Sequence, residues 1–521
     1  MSQKSKKSKK DKKCCRKSAT QAAAESAATD RVTAAADEAP EIAGEEGGCG
    51  CSCGGSDAID AIANMSATML LRCFRDGSLS PVDAAEAALS RIERYNDRVN
   101  AFCLVDEEAT LVAAYASEQR YHYGQPMGLL DGVPIAIKDV FLTRGWPNLK
   151  GSKTVDPRGP WELDAPAVAA LRRHGFVPLG KTTTPELGWK GVTDCPCYGV
   201  TRNPFDTSKT AGGSSGGSAA SVALGMGPLA LGTDAGGSIR IPAGFSGIVG
   251  HKPTQGRIPI WPASPFGTLA HPGPMTWTVE DAALLMNVLA ESDPRDPTLP
   301  PTQQDYLAAI EGGIRGLHIA FSPRLGYVDV DPEIAAAVAA AARTLEALGA
   351  VVDEVDPGFS DPREAFDLLF FGGAANALRT IPEAQHSEMD PALIEAVASV
   401  RERSMLDYLQ AMNERAALNE QMSRFHQRYD LLVTPALPIP AFGAGLEVPE
   451  GWSDPRWPSW TPFTYPFNMT GQPACSVPCG FTAAGLPIGL QIVGPRHADG
   501  LVLRAAHTYQ QAAPLTDRRP L

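Results

Sequence analysis

Two stretches of this 521-residue chain decide how it folds: Thr210-Ala211-Gly212-Gly213-Ser214-Ser215-Gly216-Gly217-Ser218, and Gly232-Thr233-Asp234-Ala235-Gly236-Gly237-Ser238-Ile239-Arg240-Ile241-Pro242. In the first, four glycines surround two serines, so the backbone can approach a partner closely and adopt conformations closed to other residues. A helix opening just after it would aim free N–H groups at an anion. The second stretch ends a strand with another Gly-Gly-Ser, where consecutive N–H groups suit an oxyanion hole. Three plainer readings compete. One is an ordinary Gly/Ser loop. A phosphate loop lacks its Gly-Lys-Ser/Thr. Gly212-Gly213-Ser214-Ser215-Gly216 matches a G-x-S-x-G nucleophile elbow, but an elbow needs a strand directly before it, and residues 202–209 are polar and read as a loop.

Around these stretches, strands and helices alternate with short joints. Strands are expected at Val133–Ile137, Phe176–Lys181, Pro228–Gly232, Leu317–Phe321, Ala350–Val355, Leu431–Thr434, Ala474–Pro478 and Ile488–Val493. Helices are expected at Ala165–His174, Ser215–Leu224 and Asp331–Leu348, the last ending at Gly349. Another starts at Ser80-Pro81-Val82-Asp83, with Ser80 as cap, Pro81 in the first turn and Asp83 three residues on. This alternation predicts an α/β sandwich around a mostly parallel sheet.

A third stretch, Asp131-Gly132-Val133-Pro134-Ile135-Ala136-Ile137-Lys138-Asp139, completes a pattern: G-x-P-x-x-x-K-D, then GGSSGGS, then GTDxGGSIRxP, then Gly250-His251-Lys252-Pro253-Thr254. Pro466-Phe467-Asn468-Met469-Thr470-Gly471-Gln472-Pro473 and Gly485-Leu486-Pro487-Ile488-Gly489-Leu490-Gln491 follow. In order and spacing this resembles the amidase signature family over roughly residues 66–515, with His251 where a leucine is common. The resemblance implies the amidase signature fold, a large mixed central β-sheet covered by helices on both faces. It implies a serine amidohydrolase without cofactor or metal, in which Ser238 is the nucleophile, Ser214 a bridging serine joined to Gly213 by a cis peptide, and Lys138 the base.

The residues support the same chemistry on their own terms. A serine hydroxyl needs an adjacent base to attack an amide. A lysine serves only when neutral, and Lys138 ends an apolar strand whose burial disfavours the ammonium. Ser214 can accept and donate at once, and so can relay the proton. The N–H groups of Ala235, Gly236, Gly237 and Ser238 are the expected oxyanion donors. Asp234 and Arg240 are expected to hold that loop by an ion pair. Glu186-Leu187-Gly188-Trp189-Lys190-Gly191 is expected to line the acyl pocket, with the Gly188 carbonyl near Ser214; for Trp189, ordinary packing has equal weight. Cys195 and Cys197 read as packed thiols. None of the nine histidines sits in a motif, so a Ser-His-Asp triad has no specific support.

The same family includes the glutaminase subunit of a tRNA-dependent amidotransferase, which works in a complex. Members of that subfamily carry Gly-Thr-Tyr and Gly-Tyr-Tyr-Asp before their long C-terminal helix, where this chain reads Arg403-Ser404-Met405-Leu406-Asp407-Tyr408-Leu409-Gln410-Ala411-Met412.

Composition sets the outer bounds. With 44% apolar residues the chain can bury a large core. Its net charge of −13 argues against non-specific nucleic-acid binding, which rests on Lys and Arg. No apolar run is long enough to span a bilayer. The expected partner is a small-molecule amide, with no nucleic acid and no membrane, and a homodimer stays open. Residues 1–56 run from a Lys-rich block to a Cys/Gly-rich end and are expected to form a disordered tail before a single catalytic domain at 57–521. Cys49, Cys51 and Cys53 are a weak metal pattern, and Met65 is an alternative start. The basic N-terminus lacks the apolar region of a secretory signal, which predicts a cytoplasmic protein with reduced thiols.

Overall fold

The computed structural model describes residues 55–296, 304–515 and 518–520. The expected tail and its cysteines lie outside them. A helix at Gly55–Ala63 begins two residues before the expected boundary. Asp60 on it pairs with Arg91 at 3.1 Å, so a start at Met65 would remove part of the folded unit.

The strands are β1 (Phe102–Val105), β2 (Pro134–Lys138), β3 (Val177–Thr182), β4 (Asp194–Cys195), β5 (Gly199–Val200), β6 (Leu229–Asp234), β7 (Val249–Lys252), β8 (His271–Thr276), β9 (His318–Phe321), β10 (Val351–Glu354), β11 (Leu431–Pro435), β12 (Ala474–Phe481) and β13 (Pro487–Val493). β4 and β5 form a separate pair, and the other eleven make one sheet in the order β1-β3-β2-β6-β8-β7-β12-β13-β11-β9-β10. The pairings β3/β2, β2/β6, β11/β9 and β9/β10 are parallel. The remaining six are antiparallel. The sheet is therefore mixed, as the family resemblance implies. Strand–helix alternation alone suggested a mostly parallel one; β7 and β8 contribute three of the six antiparallel pairings, and β1/β3, β12/β13 and β13/β11 the others. β8 reads His271-Pro272-Gly273-Pro274-Met275-Thr276, a composition that looks like a loop. It pairs along its whole length with β6 but touches β7 only through Met275 and Thr276, so both prolines fall where one side is unpaired.

The helices that matter below are α1 (Pro81–Val99), α2 (Pro166–Arg173), α3 (Gly216–Ala223), α4 (Arg240–Ser246), α5 (Val279–Leu289), α6 (Pro332–Ala347), α7 (Met405–Phe425) and α8 (Asp499–Ala512). The predicted box at α1 forms: Val82 N–H donates to Ser80 Oγ at 2.9 Å, and Ser80 N–H to Asp83 Oδ2 at 2.8 Å. The apolar sides of α2, α5, α6 and α8 pack with Ile135, Ile137, Leu229, Leu231, Leu490 and Ile492 in the largest core cluster. Side chains of α1 and α3 pack against Ala136 and Ala230, alternate residues of β2 and β6, and against Met275 of β8 in another. This period-two division is what a sheet covered on both faces requires. A third cluster is aromatic and gathers Trp189, Phe366, Phe370, Trp457, Trp460 and Tyr465. No helix among the described residues is long and apolar enough to cross a membrane.

Candidate active site

β2 and β6 run parallel side by side, with Ile137 opposite Leu231, so Lys138 and Thr233 emerge together at their C-terminal ends. The Gly-Ser stretch enters α3 beside them, and Ser238 lies just before α4. No strand directly precedes Gly212, which excludes the nucleophile elbow. The Gly213–Ser214 peptide is cis. A Cβ at Gly213 would lie 2.4 Å from the Val192 carbonyl oxygen, so only glycine fits there.

Lys138 is fully buried. Its Nζ lies 2.7 Å from Ser214 Oγ, 2.9 Å from Ser215 Oγ and 2.9 Å from Thr233 Oγ1. Burial holds the amine well below the usual lysine range, against a smaller upward pull from Asp234. The Ser215 hydroxyl donates to the Thr233 carbonyl at 3.1 Å, so its oxygen must accept from Lys138. A neutral amine has two N–H donors and one lone pair. In the neutral form, donation to Ser215 and Thr233 would leave that lone pair for the Ser214 hydroxyl. Local sequence assigned no role to Ser215 or Thr233, although both lie inside the two glycine-rich stretches.

Ser238 is 5% exposed, and its carbonyl accepts from Ser215 N–H at 3.2 Å. Ser214, Ser238, Thr233, Ala235 and Gly188 line one cavity of about 540 Å³. The expectation for the glycine loop needs one correction. Gly237 N–H donates to Asp234 Oδ1 at 2.7 Å and is committed there. Among the described residues, the N–H groups of Ala235, Gly236 and Ser238 meet no acceptor. Gly237 still matters for its backbone: its φ is +129°, and a Cβ there would lie 2.5 Å from Thr464 Oγ1.

Asp234 and Arg240 are both buried and paired, Nε to Oδ2 at 2.9 Å and Nη2 to Oδ1 at 3.0 Å. Burial pushes the Asp234 carboxyl up, but Arg240 and Asn468 outweigh it and hold it below the carboxylate range. Arg240 also donates to Gln491 Oε1 at 2.8 Å and to Asn468 Oδ1 at 2.6 Å. Thr464 Oγ1 donates to the Gly236 carbonyl at 2.6 Å. Asn468 and Gln491 belong to C-terminal motifs that carried the resemblance without an assigned role. The fold shows what they hold.

Gly188 stands beside Ser214: a Cβ on it would lie 3.5 Å from Ser214 Oγ. Leu187 and Gly188 line the cavity. Trp189 does not. It is buried, with its indole N–H donating to Asp390 Oδ2 at 3.1 Å, so for this residue packing is the observed role. Cys195 is buried and Cys197 half-buried, both as free thiols. No motif pointed to a histidine at the site, yet His271 lines the cavity. Its Nδ1–H faces the carbonyls of Leu269 at 2.7 Å and Asp234 at 3.1 Å, and Nε2 is buried without a partner. Burial keeps this imidazole neutral, with its pKa well below the usual range.

The family model for Amidase matches residues 83–503. This chain belongs to the amidase family. It is a hydrolase of the amidase signature group, acting on amides. An acylamidase from Rhodococcus erythropolis is 38% identical over 465 residues, which cover 88% of this chain and 97% of the relative. A glutamyl-tRNA(Gln) amidotransferase subunit from Myxococcus xanthus is 37% identical over 465 residues, 84% of this chain and 94% of that protein. Among solved structures, a bacterial aryl acylamidase of the amidase signature family superposes with a TM-score of 0.82 at 31% identity, covering 88% of this chain and 100% of its own. A 6-aminohexanoate cyclic dimer hydrolase solved with substrate superposes at 0.80 with 29% identity, covering 88% of this amidase and 99% of the other chain.

Proposed function

We propose that this amidase is a serine amidohydrolase working through an acyl-Ser238 intermediate. Neutral Lys138 draws a proton from Ser214, and Ser214 takes the proton of Ser238 as Ser238 Oγ attacks the amide carbonyl. The oxyanion meets the free N–H groups of Ala235, Gly236 and Ser238. As the tetrahedral intermediate collapses, the proton returns through Ser214 to the leaving nitrogen, and an amine or ammonia departs. Water then attacks the acyl ester by the same relay and releases the acid. Asp234 and Arg240 position the nucleophile loop. The observation that carries the reading is a fully buried lysine, in surroundings that disfavour its charged form, with Ser214 Oγ 2.7 Å from its Nζ.

A second reading, a glutaminase subunit serving a tRNA-dependent amidotransferase, is favoured by the 37% identity to the Myxococcus xanthus protein. The cavity argues against it. Glutamine carries an α-ammonium, and no Asp or Glu lines the cavity among the described residues. Its walls include Phe141, Ile260, Trp261, Pro265 and Phe266, which suit an apolar or aromatic amide. The test is turnover by the purified chain alone on anilides and on glutamine, with mass spectrometry of the quenched enzyme. Anilide turnover with an acyl adduct on Ser238 is expected. Glutamine turnover only on adding a partner protein, with anilides untouched, would favour the second reading.

A further inference from the structure

We propose that the cavity holds an anion site that selects amides bearing a remote carboxylate. The proposal deepens the amidase reading and rests on it for the identity of the cavity's occupant.

Three independent features of the cavity wall carry it. Asn148 lines the cavity and is 1% exposed, and neither its Nδ2 nor its Oδ1 has a partner. A buried carboxamide left without hydrogen bonds is destabilising, and such groups mark sites that a ligand completes. Next, α2 opens on the same cavity through Ala165, Pro166 and Ala167. This helix has no side-chain cap: Pro166 has no N–H to give, and among the described residues the N–H groups of Ala167 and Val168 meet no acceptor. Asp164, the residue before its cap, is drawn away to Arg172 at 2.9 Å and to Arg144 N–H at 2.7 Å. An uncapped helix start carries a partial positive charge. Last, Lys150 is the one Lys, Arg, Asp or Glu lining the cavity among the described residues; it is exposed, and its ammonium forms no ion pair.

These features line one cavity. Lys150 follows Asn148 by two residues, and its carbonyl accepts from Leu187 N–H at 2.7 Å, beside the Gly188 that flanks Ser214. An amide donor, two backbone N–H groups and an ammonium all favour negative charge; no carboxylate lies in the wall, and the buried Asp139, which acts on Lys150 from outside it, is itself paired with Lys181 at 3.6 Å. A cavity of about 540 Å³ exceeds what an amide group alone occupies and leaves room for an apolar spacer ending in a carboxylate.

Binding is read on the Ser238→Ala enzyme, which removes turnover from the measurement. Titration calorimetry compares adipic acid monoanilide with hexananilide, and N-benzoyl-6-aminohexanoate with N-hexylbenzamide, so that the charge sits once on each side of the amide. In at least one pair the carboxylated member should bind about tenfold or more tightly, as expected for charge-assisted hydrogen bonds. That ratio should fall toward one when Lys150→Met or Asn148→Leu is added, and also at high salt for the exposed Lys150 component. Lys150→Met replaces an exposed side chain, so its test survives if Asn148→Leu does not fold. Ratios within about twofold of one in both pairs, or a preference that persists in both variants, overturn the anion site. Turnover of the same anilides by the wild-type enzyme is measured separately. A binding preference without any turnover would count against the proposed acyl-Ser238 hydrolysis of anilides while leaving the anion site standing.

Discussion

Truncating Asn468 should damage this enzyme more than its distance in sequence from the glycine loops suggests. Asn468 is fully buried. Its Nδ2 donates to Asp234 Oδ1 at 2.7 Å, to the Asp234 carbonyl at 3.1 Å and to the Leu269 carbonyl at 3.2 Å, and its Oδ1 accepts from Arg240 at 2.6 Å. Two of these bonds have a charged partner, each contributing about 1.5–3 kcal/mol. In Asn468→Ala no charge is stranded: Asp234 keeps Arg240 and Gly237 N–H, and both carbonyls keep His271. The net loss should therefore sit near the lower end of the sum, at about 3 kcal/mol. Guanidinium unfolding monitored by tryptophan fluorescence reads it, and kcat/KM on an anilide should fall as the Ser238 loop loosens. Asn468→Asp separates charge from shape. It sets a carboxylate against Asp234, so a proton is bound more tightly in the native state than in the unfolded one. That variant should be the less stable of the two at neutral pH and gain on Asn468→Ala as the pH falls. A loss below about 0.5 kcal/mol for Asn468→Ala, within the range of ordinary surface changes, would refute the claim that this network holds the loop.

Three further outcomes follow from the site. Ser238→Ala should abolish amide turnover and leave the melting temperature close to wild type; residual activity within about tenfold of wild type would move the nucleophile elsewhere. Because burial lowers the Lys138 pKa, the neutral base is already present at pH values where a free lysine is still charged. Wild-type activity should rise with pH through that lowered value and then level, whereas Lys138→Ala should lose about four orders of magnitude or more and Lys138→Arg should not restore it, since guanidinium stays protonated. A wild-type pH–rate profile in Lys138→Ala would send the search for a base to His271. Gly237→Ala combines a φ of +129° with a contact of 2.5 Å to Thr464 Oγ1, so it should cost about 1–3 kcal/mol in denaturant and most of the activity, and near-wild-type behaviour would show that the loop readily rearranges.

The groups that the proposed reaction uses stand in motifs legible in the sequence, and the family resemblance implied their roles. Lys138, Ser214, Ser238, Asp234 and Arg240 sit in short runs whose glycines and apolar flanks announce close backbone approach and burial, and eight strands read correctly because their apolar runs are short and bounded by turns. Contacts between distant segments were not legible. Nothing in His271-Pro272-Gly273-Pro274 announces a strand, because β6 supplies its hydrogen bonds from across the sheet. Gly237 counted as an oxyanion donor until the fold turned its N–H onto Asp234. Asn468 and Gln491 are 228 and 251 residues from Arg240 along the chain, and only the packed sheet and the loops at its edge bring them to its guanidinium. His271 and Asn148 entered the cavity wall in the same way. Residue type and local spacing determined which groups the proposed reaction can draw on. Tertiary structure decided which of their hydrogen bonds are already taken, and that depends on partners that burial, rather than sequence proximity, brings together.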